Sequence, residues 1–183
     1  MRSPATIHSA FGAIALALSG ASVVEAHDNL SSEEHAWLVG HNDARSAFGT
    51  PPLEWSDDLA DEARRWAEQL AHENTIRHAP SDRLGGNGEN LWMGSAGYFP
   101  ASKMISAFVD ERRFFRAGRF PSVSRTGDWT DVGHYTQIVW ATTKEVGCAK
   151  ASNSHNEILV CRYYPAGNIL GETIAPQRRL ARR

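Results

Sequence analysis

The chain has 183 residues, of which 42% are hydrophobic and 22% are charged. This composition is typical of one soluble globular domain with room for a sizeable core. With 19 basic and 21 acidic residues the formal net charge is -2, so no overall field favours nucleic acid or strongly acidic partners.

The N-terminus has the pattern of a secretory leader. Arg2 precedes an apolar and small-residue run from 10 to 24, and Val24-Glu25-Ala26 fits a small-residue cleavage site. Glycines and serines interrupt the run, which makes it too short and too weakly apolar for a membrane span. We predict a signal peptide over residues 1–26, a mature chain without a transmembrane span, and a secreted location, or a periplasmic one in a bacterium. A disordered or anchored N-terminus is the alternative.

Two amphipathic helices are predicted next. The first begins near Ser31 and ends at Gly49-Thr50-Pro51-Pro52, because consecutive prolines cannot continue the helical hydrogen bonds. Ser56 is the predicted cap of the second helix. Each helix has one apolar face, formed by Trp37, His41, Ala44 and Phe48 in the first and by Leu59, Ala63, Trp66, Ala67 and Leu70 in the second.

The middle of the chain combines a predicted loop with a third helix. The segment from Thr75 to Gly97 is rich in Gly, Pro, Asn and Ser, which predicts a loop with only short ordered pieces, and it carries His78 and Glu89. The third helix is predicted over residues 100–115, with proline in its first turn, and it carries Glu111.

Strands are predicted only in the last third of the chain. Strand-like runs lie near 135–140, 146–151 and 157–163, and the short connections between them predict antiparallel pairing. Helices followed by strands indicate an α+β layered domain, which we place at residues 27–175. Residues 176–183 form a Pro-led basic tail, which we expect to be solvated rather than bound to an anionic surface.

Cys148 and Cys161 are the two cysteines of the chain. Their spacing fits no metal motif, so in an oxidising compartment they predict one disulfide that joins two neighbouring strands. Two buried free thiols are the alternative.

Two sequence runs carry the most information about family. The first is Gly133-His134-Tyr135-Thr136-Gln137-Ile138-Val139-Trp140, and the second is Cys161-Arg162-Tyr163-Tyr164-Pro165-Ala166-Gly167-Asn168-Ile169. Together they resemble the two signatures of the CAP superfamily, or SCP domain, which includes cysteine-rich secretory proteins, insect antigen 5 and pathogenesis-related class 1 proteins. The resemblance covers most of the chain and implies a three-layer α-β-α sandwich, with a small antiparallel sheet flanked by helices.

The resemblance also groups four residues that lie far apart in the sequence. In the CAP superfamily two histidines and two glutamates converge in one cleft, and the matching positions here are His78, Glu89, Glu111 and His134. His41, Asn42 and Arg45 also resemble a family motif, and we interpret them as internal polar contacts of the fold.

Two neutral imidazoles in one cleft are suitable ligands for Zn²⁺ or another divalent cation, so His78 and His134 are the predicted metal ligands. The glutamates would hold the imidazoles or a metal-bound water. Catalytic zinc usually has three protein ligands, so a two-histidine site should bind metal weakly and exchange it.

Two other catalytic interpretations have weaker support. Ser95 could act as a nucleophile with His78 as its base, but Gly94-Ser95-Ala96-Gly97 lacks the nucleophile-elbow pattern. His72 and His78 are six residues apart, whereas the helical zinc-protease motif requires four, so His72 is interpreted as the end of the second helix.

The resemblance implies a non-enzymatic extracellular binding module for a lipid, a sterol or a protein partner. A host or cell-surface protein is the possible protein partner, and a metal-dependent hydrolase or protease that uses the same cleft is the alternative function. Trp92, Tyr98 and Phe99, near the cleft loop, are equally consistent with packing. The basic and aromatic run over residues 111–116 fits solvated arginines above buried phenylalanines, so no nucleic-acid partner is expected.

Overall fold

A computed structural model describes residues 30–176. The predicted signal peptide over residues 1–26 lies outside the described residues, and so do positions 177–183 of the predicted basic tail. The division into signal peptide, domain and tail therefore stays a prediction. Within the described range no helix has both the length and the apolar character needed to cross a bilayer.

Both long helices form where the sequence predicts them. Helix α1 spans Ser32–Phe48, and at its start the Ser31 hydroxyl and the Glu34 carboxylate each accept a hydrogen bond from the other's backbone N–H. Helix α2 spans Asp57–Glu73, with Ser56 as its cap. The predicted apolar faces of both helices are buried, which confirms the predicted periodicity.

The shorter helices differ from the prediction. Helix α3 spans Ser81–Leu84 and α4 spans Ala101–Val109. The predicted third helix is therefore only partly correct, because after α4 the chain tightens into a 3-10 turn at Asp110–Arg113, which carries Glu111. Helix α5 spans Gly133–Ile138, so the strand predicted near 135–140 is wrong.

A long-range contact explains why α5 is helical. Its β-branched and aromatic residues favour a strand locally. However, the backbone N–H groups of His134 and Tyr135 each donate to the Glu111 carboxylate at 3.0 Å. A carboxylate that satisfies the first N–H groups of a helix also interacts favourably with the positive end of the helix dipole.

Four strands form the main sheet, in the spatial order β1 (Glu54–Trp55), β4 (Glu145–Ser152), β5 (Asn156–Tyr164) and β2 (Gly88–Ser95). Strands β4 and β5 form the predicted antiparallel hairpin, β2 pairs antiparallel with β5, and β1 pairs parallel with β4. Two short strands, β3 (Gly118–Arg119) and β6 (Thr173–Ile174), form a separate pair.

Strand β2 corrects the prediction that Thr75 to Gly97 is a loop with only short ordered pieces, because eight of these residues form a regular strand. Its glycines serve close packing rather than turns: a Cβ added at Gly88 would lie 2.2 Å from the Gln137 side-chain oxygen. A Cβ added at Gly94 would lie 2.4 Å from the Trp92 ring. Glycine within a strand often marks such a close approach, so its abundance was misleading here.

The main sheet lies between two helical layers. Helix α2 covers one face, where a Cβ added at Gly147 would lie 2.2 Å from the backbone nitrogen of Ala60. Helices α1, α4 and α5 form the opposite layer, above a core to which Cys148, Leu159 and Tyr163 contribute. This arrangement confirms the predicted α+β, three-layer α-β-α sandwich.

The predicted disulfide joins the two central strands. Cys148 of β4 and Cys161 of β5 are bonded, lie directly opposite each other in the strand register, and have Cα atoms 4.1 Å apart. The prediction of one disulfide is confirmed, and the free-thiol alternative is wrong.

Candidate functional site

His78 and Glu89 form the first half of the candidate site. Glu89 lies on β2, its side chain is only 2% exposed, and one of its carboxylate oxygens accepts hydrogen bonds from His78 Nδ1 at 2.7 Å and from the Ala79 backbone N–H at 3.0 Å. The His78 side chain is 62% exposed. The buried carboxylate thus holds the imidazole from behind and leaves its other edge open.

His134 and Glu111 form the second half of the site. His134 Nδ1 donates to Glu111 Oε1 at 2.5 Å, and the same carboxylate also accepts the first backbone N–H groups of α5. The imidazole stacks on the Phe108 ring, with ring centroids 4.7 Å apart. These contacts fix the orientation of His134 at the beginning of α5.

A shared pocket brings the two halves together. His78, Glu89 and His134 line one cavity of about 530 Å³, and Glu111 lies behind His134. The four predicted residues therefore meet as two His–Glu pairs. Within residues 30–176, neither Nε2 atom has a hydrogen-bond partner. Since Nδ1 donates to a carboxylate, each Nε2 carries the lone pair that a metal would use.

The remaining wall of the pocket is largely apolar. Phe120 and Leu84 contribute to it, together with Trp129, which is 42% exposed, and Leu170, which is 75% exposed. Exposed apolar side chains of this size beside a concave pocket are typical of a ligand-binding surface. Sequence reasoning did not identify these wall residues, because no local pattern separates them from ordinary packing residues.

The end of the second motif closes the pocket floor. The backbone of Asn168 is left-handed, with a φ of 57°. Its side-chain amide donates to the Gly133 carbonyl at 2.9 Å and accepts from the Thr136 hydroxyl at 2.7 Å. The Gly167 backbone N–H donates to the Gln137 side-chain oxygen at 2.9 Å. These polar contacts join the two sequence motifs, which explains why both are needed for one site.

Imidazole nitrogens are suitable ligands for a divalent cation, and a carboxylate on the other ring nitrogen is the usual outer partner of such a ligand. A third close ligand is missing among the described residues, because the only group of three candidate ligand atoms within 4.8 Å of one another is His41, Cys148 and Cys161. That group cannot hold a metal, since both sulfurs are in the disulfide and both His41 nitrogens are hydrogen-bonded.

Other candidates from the sequence lie outside the pocket. Ser95 is six residues beyond Glu89 on β2, which separates the two by about 20 Å along the strand, so the nucleophile hypothesis is not supported. Trp92 and Phe99 pack edge to face with centroids 5.2 Å apart, and neither lines the pocket. His72 lies in the last turn of α2, as interpreted.

The amino-acid sequence matches the family model described as "CAP: Cysteine-rich secretory protein family" over residues 38–163. It is 35% identical over 144 residues to pathogenesis-related protein 1C of Nicotiana tabacum. The aligned region covers 78% of this chain and 80% of that protein. It is 34% identical over 178 residues to venom allergen 5 of Vespa velutina, covering 85% of each chain.

Solved structures share the fold. A crystal structure of NaASP2 with Zn²⁺ superposes with a TM-score of 0.66 at 24% identity, covering 82% of this chain and 89% of that one. A structure of BmVAL-1 superposes with a TM-score of 0.65, also at 24% identity, and covers 80% of this chain and 84% of the other.

Proposed function

Because this chain belongs to the CAP family of cysteine-rich secretory proteins, we propose that it is an extracellular, non-enzymatic binding module. Its cleft takes up a small amphipathic ligand, such as a lipid or a sterol, beside a weakly held divalent cation. The observation that carries this proposal is the pocket of about 530 Å³ in which two imidazoles, each oriented by a carboxylate, face an apolar wall.

The metal part of the proposal is supported by the state of the two histidines. Each Nδ1 donates to a carboxylate, which selects the tautomer that leaves Nε2 free as a ligand. Zn²⁺ has the borderline softness that imidazole nitrogen suits, and solvent or a ligand atom would complete its coordination. Affinity should be modest, because two protein ligands leave the site open.

The lipid part of the proposal is supported by the pocket wall. The volume lies within the range of about 300–1,000 Å³ that is usual for small-ligand sites. Trp129 and Leu170 would cover the apolar body of the ligand, while its polar end would lie near His78 and His134. The ligand is thereby oriented along the cleft.

The hydrolase alternative has less support, because both carboxylates are already committed. Glu89 is nearly inaccessible and is hydrogen-bonded to His78 and Ala79. Glu111 accepts two backbone N–H groups in addition to His134. Neither carboxylate is therefore available as the general base that a metal-bound water requires. A protein partner at the cleft rim remains the second candidate, since Trp129 and Leu170 are exposed there.

Zinc titration by calorimetry tests the metal part. We expect the mature protein to bind Zn²⁺, His78→Ala/His134→Ala to lose binding, and Glu111→Gln to weaken it by about 10- to 100-fold, since Glu111 orients a ligand. The matched control is His72→Ala/His155→Ala, which removes two exposed imidazoles outside the pocket. Equal zinc affinity in the two double variants would contradict the assignment.

Competition binding tests the lipid part. A fluorescent sterol or fatty acid should bind the mature protein and be displaced by its unlabelled form. Trp129→Ala and Leu170→Ala should each weaken binding by about 10- to 100-fold, because each removes a large apolar contact worth about 1.5–3 kcal/mol. Tyr98→Ala is the control, since Tyr98 is 76% exposed but lies outside the pocket. Saturable capture of a cell-surface protein without lipid binding would instead favour the partner hypothesis.

A further inference from the structure

A second cavity, of about 310 Å³, lies between α2 and the sheet. Four of its lining residues recur on one face of α2, and the others come from α3 and β5. It shares no lining residue with the pocket that contains His78 and His134, here called the His–Glu pocket, although two contacts connect them. These are the ion pair between Arg162 and Glu89 and the hydrogen bond from Asn87 to Glu62. Its lining residues are Glu62, Arg65, Trp66, Gln69, Arg83 and Arg162.

Arg162 has unused hydrogen-bonding capacity at this cavity. Its side chain is 3% exposed, and its Nη2 atom lies 3.1 Å from Glu89 Oε2 in an ion pair. Its Nε and Nη1 atoms are buried and have no hydrogen-bond acceptor among the described residues. Burying donors without acceptors is costly, and buried polar groups in folded proteins are nearly always satisfied. The cavity that Arg162 lines is where an acceptor would be placed.

The other polar groups of the cavity favour an anion. The Arg65 side chain is exposed and has neither an ion pair nor a hydrogen bond within residues 30–176. The Arg83 side chain donates only to the Gln69 side-chain oxygen, at 3.1 Å. Glu62 is the one carboxylate in the lining, and it is held by the Asn87 amide at 3.0 Å. The cavity thus has three guanidinium groups and one carboxylate in its lining, and Glu89 lies behind Arg162. Three positive charges against two negative charges leave one positive charge uncompensated.

We propose that this cavity binds a phosphate monoester through Arg65, Arg83 and Arg162. The planar guanidinium group matches phosphate oxygens in geometry and donates to them in pairs. A phosphate monoester presents three terminal oxygens, enough for each arginine to have its own acceptor, whereas a carboxylate presents two. The volume accommodates a phosphate with a small attached group. The phosphate belongs either to a soluble ester or to the headgroup of an anionic lipid.

Two probes with the same phosphate chemistry distinguish these sources. Glycerol phosphate is titrated into the mature protein by calorimetry, and cosedimentation is measured with vesicles of phosphatidylcholine and phosphatidic acid in a four-to-one ratio. In the unaltered protein, glycerol phosphate should also shift the NMR signal of Arg162 Nε–H. This readout does not require replacement of a buried arginine that the fold needs.

Variants at the cavity rim test the contacts directly. Arg65→Gln and Arg83→Gln should each weaken glycerol phosphate binding by about tenfold, the effect of removing one hydrogen bond to a charged group. Both side chains are exposed, so the variants should fold. The matched control is Arg64→Gln, because Arg64 is the neighbouring arginine on α2, pairs with Asp61 and lines a different cavity. Its variant should bind with unchanged affinity.

Binding of glycerol phosphate that depends on Arg65 and Arg83 but not on Arg64 supports the proposal. Vesicle binding with the same dependence also supports it and assigns the phosphate to a lipid. Absence of binding to both probes, or an equal loss in the Arg64→Gln protein, would overturn it. Because the zinc ligands lie in the other pocket, failure of the zinc titration leaves this test unaffected.

Discussion

At the scale of single residues, a buried chain of hydrogen bonds fixes the chemistry of His41. Asn90 donates to the Tyr163 hydroxyl at 3.0 Å, that hydroxyl donates to His41 Nε2 at 2.8 Å, and His41 Nδ1 donates to the Trp37 carbonyl at 2.7 Å. The Tyr163 hydroxyl and the His41 ring thus each accept one of these hydrogen bonds and donate the next. Only a neutral imidazole can complete this chain, because a protonated ring would present a second N–H to the tyrosine hydroxyl.

His41 should therefore make the fold sensitive to acid. Burial, reinforced by the nearby positive charge of Arg45, lowers the pKa of His41 from 6.5 to about 4, although the hydrogen bond to Trp37 acts in the opposite direction. The unfolded chain binds this proton first as pH falls. Stability is thus complete above pH 6.5 and is lost as pH drops toward 4, by roughly 3 kcal/mol in total.

Urea unfolding at a series of pH values between 7 and 4 measures this loss. The His41→Gln protein should be less stable at neutral pH but should show a shallower decline over the same range, since glutamine does not titrate. The control is His155→Gln, which replaces an exposed imidazole and should keep the steep decline. Parallel pH profiles for the unaltered protein and His41→Gln would contradict the assignment.

Arg45 shows how one residue can connect segments that are distant in sequence. Its guanidinium is buried and donates to the carbonyls of Ile138 and Trp140 at 2.8 Å and to that of Thr143 at 3.0 Å, while Nε donates to Pro51. Burial lowers its pKa to about 10, so the group stays charged at neutral pH. The interpretation of His41 and Arg45 as internal polar contacts is confirmed. A lysine could not reproduce this fork of donors.

At the scale of secondary-structure elements, the contact between α2 and the sheet depends on Gly147. An added Cβ would lie 2.2 Å from the Ala60 nitrogen and 2.5 Å from the Ser56 carbonyl oxygen. The Ser56 carbonyl accepts the Ala60 N–H, the first hydrogen bond of α2, so neither atom can move without disturbing the start of the helix. The absence of a side chain at Gly147 is thus what lets α2 lie directly on β4.

Gly147→Ala should lower the free energy of unfolding by about 3 kcal/mol, the upper end of the usual range for overpacking, because the clash is with backbone rather than with a movable side chain. Urea denaturation gives this value. The comparison variant is Gly97→Ala, where φ is 71° and nothing lies within 4 Å, so backbone strain alone should cost about 1 kcal/mol. A Gly147→Ala protein as stable as the Gly97→Ala protein would mean that α2 adjusts freely.

At the scale of the whole molecule, Glu89 lies between the two cavities. One of its oxygens accepts from His78, which faces the His–Glu pocket, and the other pairs with Arg162, which lines the second cavity. The Glu89 and Arg162 side chains are 2% and 3% exposed, so their ion pair lies in a medium that screens charge weakly, whereas His78 lies at the surface. The proposed metal and phosphate sites thus share one carboxylate on β2 and, through it, a direct electrostatic connection.

Much of this architecture could be predicted from local pattern. Helices α1 and α2 repeat their apolar residues with helical spacing and carry cap residues at their ends, and the β4–β5 hairpin follows from two strand-like runs across a polar turn. These signals depend on neighbours within a few residues. The resemblance to the CAP superfamily added the four site residues, which no spacing rule could have grouped.

The remaining features of the fold and of the site depend on contacts between residues that are far apart in the chain, which no local pattern reveals. Glu111 accepts the N–H groups that begin α5, although the residues of α5 favour a strand locally, and antiparallel pairing with β5 makes the glycine-containing β2 a strand rather than a loop. The apolar wall forms only where Leu84, Phe120, Trp129 and Leu170, from separate segments, meet. The cavity beside the unsatisfied donors of Arg162 exists only after α2, α3 and β5 come together. Local residue patterns are thus enough to place the principal helices, the hairpin and the family motifs, whereas the two cavities and the charges that face them depend on long-range packing.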